Sequence, residues 1–112
     1  MERKTFNKLV RDKIPELLDK VGGETETEIL DNKKYIECLF NKLQEETEEV
    51  VTANSKENLT EELADLLEVM NAIATANNID YGEIEKIRLA KKEKRGGFED
   101  KIFLISSNVV KI

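Results

Sequence analysis

Apolar residues at Ile36, Leu39, Phe40, Leu43, Val50 and Val51 recur three and four apart, the spacing of a helix face turned to a core. Continued from Leu43, the seam meets Glu46 and Thr47 before it reaches Val50, so a carboxylate interrupts it from within. Glu49 stands one turn further on beside Glu46. Asp31 is the N-cap for this helix, which the pattern carries over about Asn32 to Ala53. A second segment, Leu63 to Ala76, is apolar at nearly every position and reads as a helix buried nearly all round. At about 100° per residue, Asp65 shares a side with Val69, Ala72 and Ala76, with Glu62 one turn before it and Glu68 one turn after. Asn58 followed by Glu61 has the form of a capping box, which starts this helix near Leu59.

The flanks carry weaker patterns. Pro15 suits the first turn of a short helix to about Val21, which Gly22-Gly23 would end. Glu24 to Leu30 alternates Thr and Glu and reads as a short edge strand or an extended loop. Asp80 with Glu83 opens a fourth helix to about Lys94, with Ile84, Ile87 and Leu89 or Ala90 inward and Gly96-Gly97 as its stop. Lys101 to Ile105 is β-branched enough for a short strand, paired with Glu26 to Leu30 or with its own copy in a second subunit. The expected fold is all-α: a bundle of about four helices around a central antiparallel hairpin, with a short β element near the C-terminus.

The 112 residues fit one domain, near the size at which oligomerisation aids stability. A net charge of −6 argues against nucleic acid as a partner. No apolar run approaches a membrane span, and the first residues have no hydrophobic signal core. The one cysteine, Cys38, offers no disulfide framework and reads as a small buried or half-buried hydrophobe in a cytoplasmic chain.

The carboxylates change the picture most. Paired as an antiparallel hairpin, the two apolar helices let Glu46, Glu49, Glu62 and Asp65 converge near the turn. Such a cluster repels itself and raises its own pKa values unless a cation neutralises it. Glu48 and Glu61 read as members of solvated faces. There is no histidine, which excludes the Glu-x-x-His pairs of di-iron bundles, and all-oxygen ligands favour Mg²⁺ first and Mn²⁺ next. Lys8, Arg11 and Lys13 gather in an N-terminal segment, and Lys94 and Arg95 precede a glycine pair and Phe98. Both groups suit contact with phosphate, although cations at a helix C-terminus also answer the helix dipole.

Glu45-Glu46-x-x-Glu49, twelve residues, then Glu62-x-x-Asp65 resembles the signature of the MazG-like all-α nucleoside triphosphate pyrophosphohydrolases, a superfamily that also holds phosphoribosyl-ATP pyrophosphohydrolase and dimeric dUTPases. Lys42-Leu43-x-Glu45-Glu46 and Glu61-Glu62-Leu63-Ala64-Asp65-Leu66-Leu67 fit as flanking words. Asn7-Lys8-Leu9-Val10-Arg11-Asp12-Lys13-Ile14-Pro15 and Arg95-Gly96-Gly97-Phe98 are similar to the two ends of a small phosphoribosyl-ATP pyrophosphohydrolase-like branch. The resemblance covers nearly the whole chain as a single MazG-like domain over 1–112. Its acidic spacing lies at the short end for the family, which predicts a tight hairpin.

The resemblance implies Mg²⁺, with Mn²⁺ as a substitute, held by Glu46, Glu49, Glu62 and Asp65, with Glu45 close by. The implied reaction is hydrolysis of a nucleoside triphosphate between the α and β phosphates. Without histidine, Glu45 or Glu49 takes the proton of the attacking water. Lys8, Arg11, Lys13, Lys94 and Arg95 offset phosphate charge, and Phe98 meets the nucleotide. The substrate is a house-cleaning nucleotide or, alternatively, phosphoribosyl-ATP. The competing class is a non-enzymatic bundle whose acidic patch docks a basic partner; it requires Glu46 and Asp65 to be exposed. A homodimer or homotetramer is expected, to bury the apolar third helix.

Overall fold

The computed structural model describes residues 2–111, which form four α-helices: α1 (Ile14–Lys20), α2 (Asn32–Val51), α3 (Lys56–Ala76) and α4 (Tyr81–Arg95). There is no strand among the described residues. Both segments read as strand candidates are irregular and unpaired: 24–30, and 101–105, where Lys101 (φ +60°) is left-handed and Ile102, Phe103 and Ile105 are exposed. β-branched residues favour a strand only where a neighbouring strand accepts their backbone hydrogen bonds.

The chain divides into two compact units, Met1–Asp80 and Tyr81–Ile112. The first is built on α2 packed against α3. A connection of four residues, Thr52 to Ser55, joins them, the tight hairpin that the acidic spacing predicts. Asp31 caps α2 as expected, its Oδ1 accepting from the Lys34 amide at 2.8 Å. The start of α3 lies three residues earlier than the sequence suggests. Ser55 is the N-cap, its hydroxyl accepting from the Asn58 amide at 3.0 Å. Asn58 is therefore the third helical residue, and its Oδ1 reaches back to accept from the Asn54 amide at 3.3 Å, in the manner of a capping box.

The stops follow from left-handed residues. Gly22 (φ +88°) ends α1, with the Gly23 amide donating to the Leu18 carbonyl, and Asn78 (φ +58°) ends α3, with the Ile79 amide donating to Ala74. Both are Schellman closures, and Asn is the side chain that best tolerates that backbone after glycine. In the second unit, α4 is closed by Gly96 (φ +85°) and carries a Glu85–Arg88 ion pair on its surface. Its apolar positions are not turned inward as the sequence pattern predicts: Ile84 is half-buried, while Ile87 and Leu89 are exposed.

The core is small. Among the described residues, Leu39 on α2 and Val69 and Ala74 on α3 are the buried apolar residues, and the fourth buried residue is Glu46. Burial of α3 all round is not realised: Leu63, Leu67 and Met70 are 48%, 50% and 44% exposed. One partner helix covers one stripe of α3 and leaves the rest bare. No helix among the described residues is long and apolar enough to cross a membrane.

Removing the Ser55 hydroxyl leaves the first-turn amides of α3 without their acceptor. Ser55→Ala should cost about 1 kcal/mol in chemical denaturation, and Ser55→Asp should restore it.

Candidate functional site

Glu46, Glu62 and Asp65 each place one carboxylate oxygen within 4.8 Å of the others. Glu46 comes from the interrupted seam of α2, and Glu62 and Asp65, one turn apart, from the facing side of α3. Glu46 is buried (8% exposed), whereas Glu62 and Asp65 are half-buried. Glu49 is exposed and outside this trio.

Each member of the trio already has a partner. Lys42 Nζ lies 3.6 Å from Glu46 Oε1 and 3.3 Å from Glu45 Oε2. Arg11 Nη2 donates to Asp65 Oδ1 at 2.8 Å, and Asn58 Nδ2 donates to Glu62 Oε1 at 3.4 Å. Lys8 Nζ donates to Glu45 Oε1 at 2.8 Å. The segment before α1 thus reaches both helices of the hairpin, one through each cation. Asn7 (φ +47°) turns the backbone just ahead of Lys8, in a left-handed conformation that Asn adopts more readily than most residues. Lys13 precedes α1 as its N-cap residue and is exposed. Lys94, Arg95 and exposed Phe98 belong to the second unit.

The environments split neighbouring carboxylates. Glu46 is raised above the ordinary glutamate value, first by burial and then by Asp65, Glu45 and Glu62, with Lys42 opposing. Glu45 is lowered, first by its hydrogen bond to Lys8 and then by Lys42, against a burial penalty. Lys8 is raised by the same hydrogen bond and by Glu45, Glu46 and Glu49.

Lys42 and Asn58 carry roles that the sequence reading did not give them. The signal for Lys42 was its position three and four residues before Glu45 and Glu46. Asn58 was read as a cap alone, yet its amide also faces a cluster carboxylate.

The donor set fits a hard divalent ion. Three carboxylate oxygens converge, one from a buried side chain whose charge is disfavoured where it stands, and Mg²⁺ takes one or a few carboxylates with waters and phosphate oxygens.

The family model for phosphoribosyl-ATP pyrophosphohydrolase matches residues 4–91. The chain belongs to that family. It lies within the MazG-like all-α superfamily, and its activity class is nucleotide pyrophosphohydrolase. The matched span contains Lys8, Arg11, Lys13 and all five site carboxylates, and it ends before Lys94, Arg95 and Phe98. No curated protein and no solved structure matches the chain.

The raised pKa of Glu46 carries a sign that can be tested. The folded chain holds that proton to higher pH than the unfolded chain, so the Glu46 charge opposes folding as pH rises through the raised value. In metal-free buffer, Glu46→Gln should raise the melting temperature by a few degrees at neutral pH. The gain should vanish below about pH 4, where the unfolded glutamate is also protonated. Glu45→Gln should do the opposite and lower the neutral-pH melting temperature, because Glu45 stabilises above its unfolded pKa and loses that contribution as pH falls through its depressed one.

Proposed function

We propose that this chain hydrolyses a nucleoside triphosphate between its α and β phosphates, releasing monophosphate and pyrophosphate, as a house-cleaning enzyme of the cytoplasm. The observation that carries this reading is the convergence of Glu46, Glu62 and Asp65 inside the span matched by the family. Buried Glu46 also weighs against a patch for docking a basic partner, which would display its charges in solvent.

In this reading Glu46, Glu62 and Asp65 hold Mg²⁺ or Mn²⁺, with Glu49 joining when substrate is present. A metal there supplies charge neutralisation of the phosphates and a bound water of lowered pKa. Glu45, kept ionised by Lys8 and Lys42, or Glu49 accepts the proton of the attacking water. The water oxygen bonds to phosphorus, the bridging P–O bond to the β phosphate breaks, and pyrophosphate departs with that electron pair. Lys8, Arg11 and Lys13 offset the charge of the leaving group.

The family description itself names phosphoribosyl-ATP, which makes that molecule of histidine biosynthesis the second reading. Both substrates present phosphates to the same carboxylates and cations. Assay of pyrophosphate release from ribo- and deoxyribonucleoside triphosphates and phosphoribosyl-ATP, with Mg²⁺ or Mn²⁺, separates them. Activity on a nucleoside triphosphate, reduced about 10²–10³-fold in Glu46→Gln, is the expected result. Turnover of phosphoribosyl-ATP alone would decide for the biosynthetic role, and no pyrophosphate from any of them would sink both.

We propose further that the working form is a homodimer or homotetramer, because Leu63, Leu67 and Met70 leave a bare apolar stripe along α3. Light scattering should give at least twice the mass of one chain, and Leu67→Glu should lower it. A clean monomer in the parent would overturn this assembly.

A further inference from the structure

One cation of the N-terminal segment holds a carboxylate of the candidate metal cluster, and a second holds the glutamate beside it. Arg11 takes one oxygen of Asp65, a member of the three-carboxylate cluster, and Lys8 takes one oxygen of the adjacent Glu45. The two contacts link residues 54 and 37 positions apart, so the segment straps α3 and α2 together. No regular structure stiffens residues 2–11, and half-buried Leu9 lies between the two cations.

We propose that Lys8 and Arg11 are exchangeable counterions: they neutralise the carboxylates while no metal is bound, and they pass to substrate phosphate when metal takes their place. This rests on the hydrolase reading above and adds a regulatory step to the same site. Three points support it. Lys8, Arg11 and Lys42 pair with Glu45, Glu46 and Asp65, so the group of Glu45, Glu46, Glu62 and Asp65 carries only one negative charge in excess. A guanidinium and a divalent ion on one carboxylate repel each other, so metal binding would weaken the hold of Arg11 on Asp65. Finally, the exchange is cheap, since the Arg11 and Asp65 side chains are 58% and 42% exposed and pairs at that depth hold weakly. Lys42, at 19%, is sunk beside Glu46 on the same helix and remains.

The exchange gives one substitution opposite effects on two measurements. Without Arg11 the cluster loses an internal competitor, and Mn²⁺ should bind about 2–5-fold more tightly, the range expected for an exposed pair. Pyrophosphate release should fall in the same variant, because the phosphate loses a cation. A strap that merely held the hairpin in shape would weaken both together.

Mn²⁺ binding is measured by the loss of the free-ion electron paramagnetic resonance signal. The proteins are the 112-residue parent, Arg11→Gln, Arg11→Lys, Lys8→Gln with Arg11→Gln, and Glu46→Gln. Tighter binding in Arg11→Gln, tighter again in the double variant, and parental binding in Arg11→Lys is the expected order. Amide hydrogen exchange across 8–13 in the parent should speed up with Mg²⁺. Equal or weaker binding in a folded Arg11→Gln would overturn the exchange while leaving the metal site intact, provided that Glu46→Gln abolishes binding. Absence of Mn²⁺ binding in the parent would overturn both readings.

Discussion

A glutamate stands where the α2 seam calls for an apolar residue, and the architecture around it follows from that. Burying a carboxylate without compensation is among the more costly things a small fold can do. Among the described residues the core holds Leu39, Val69 and Ala74 besides Glu46, so little apolar burial is on hand to offset it. The charge is met locally instead. Lys42, one turn back on α2, approaches Glu46 and Glu45 together, and Asn58 supplies an amide to the neighbouring Glu62. The N-terminal segment completes the arrangement from outside the hairpin with Lys8 and Arg11.

That constraint explains why the site was easier to read in the sequence than the packing. An acidic residue inside a three-four apolar spacing is a local contradiction, and local contradictions of this kind concentrate at functional sites. Glu46 and its α3 counterparts Glu62 and Asp65 were visible on that ground, and the structure brings these three together. Glu49 shares the motif but is exposed and outside the trio, one turn further along α2. The long-range ion pairs were not visible, because nothing local ties Lys8 to Glu45 or Arg11 to Asp65. Only the packed hairpin makes them neighbours.

The fold shows the same division. Helix ends set by short-range chemistry were legible: Asp31 as a cap, Gly22 and Gly96 as stops. At the start of α3, two caps compete within four residues. Ser55 wins because its hydroxyl reaches the Asn58 amide, and Asn58 then serves the helix from its third position. The strand near 101–105 was read from propensity, which carries no information about a pairing partner. The all-round burial of α3 was read from apolarity, which says what a helix avoids and not what covers it. Leu63, Leu67 and Met70 are the residues that the hairpin leaves exposed.

Depth decides which cation belongs to the scaffold and which to the reaction. An ion pair in solvent contributes at most about 1 kcal/mol, and separating it costs no more. Taking a partner from a desolvated charge costs about 3–5 kcal/mol, because the remaining group is left unpaired. Lys42 beside buried Glu46 approaches the second regime, and Arg11 on half-exposed Asp65 sits in the first. A site that takes up a highly charged substrate needs both kinds. In the proposed exchange, fixed charge stays with the carboxylates, and loosely held charge is free to follow the phosphates. Lysine serves at the fixed position, with its four-carbon stem lying along α2 and one ammonium between two carboxylates. Arginine serves at the mobile one, where a planar fork that binds carboxylate binds phosphate with the same geometry.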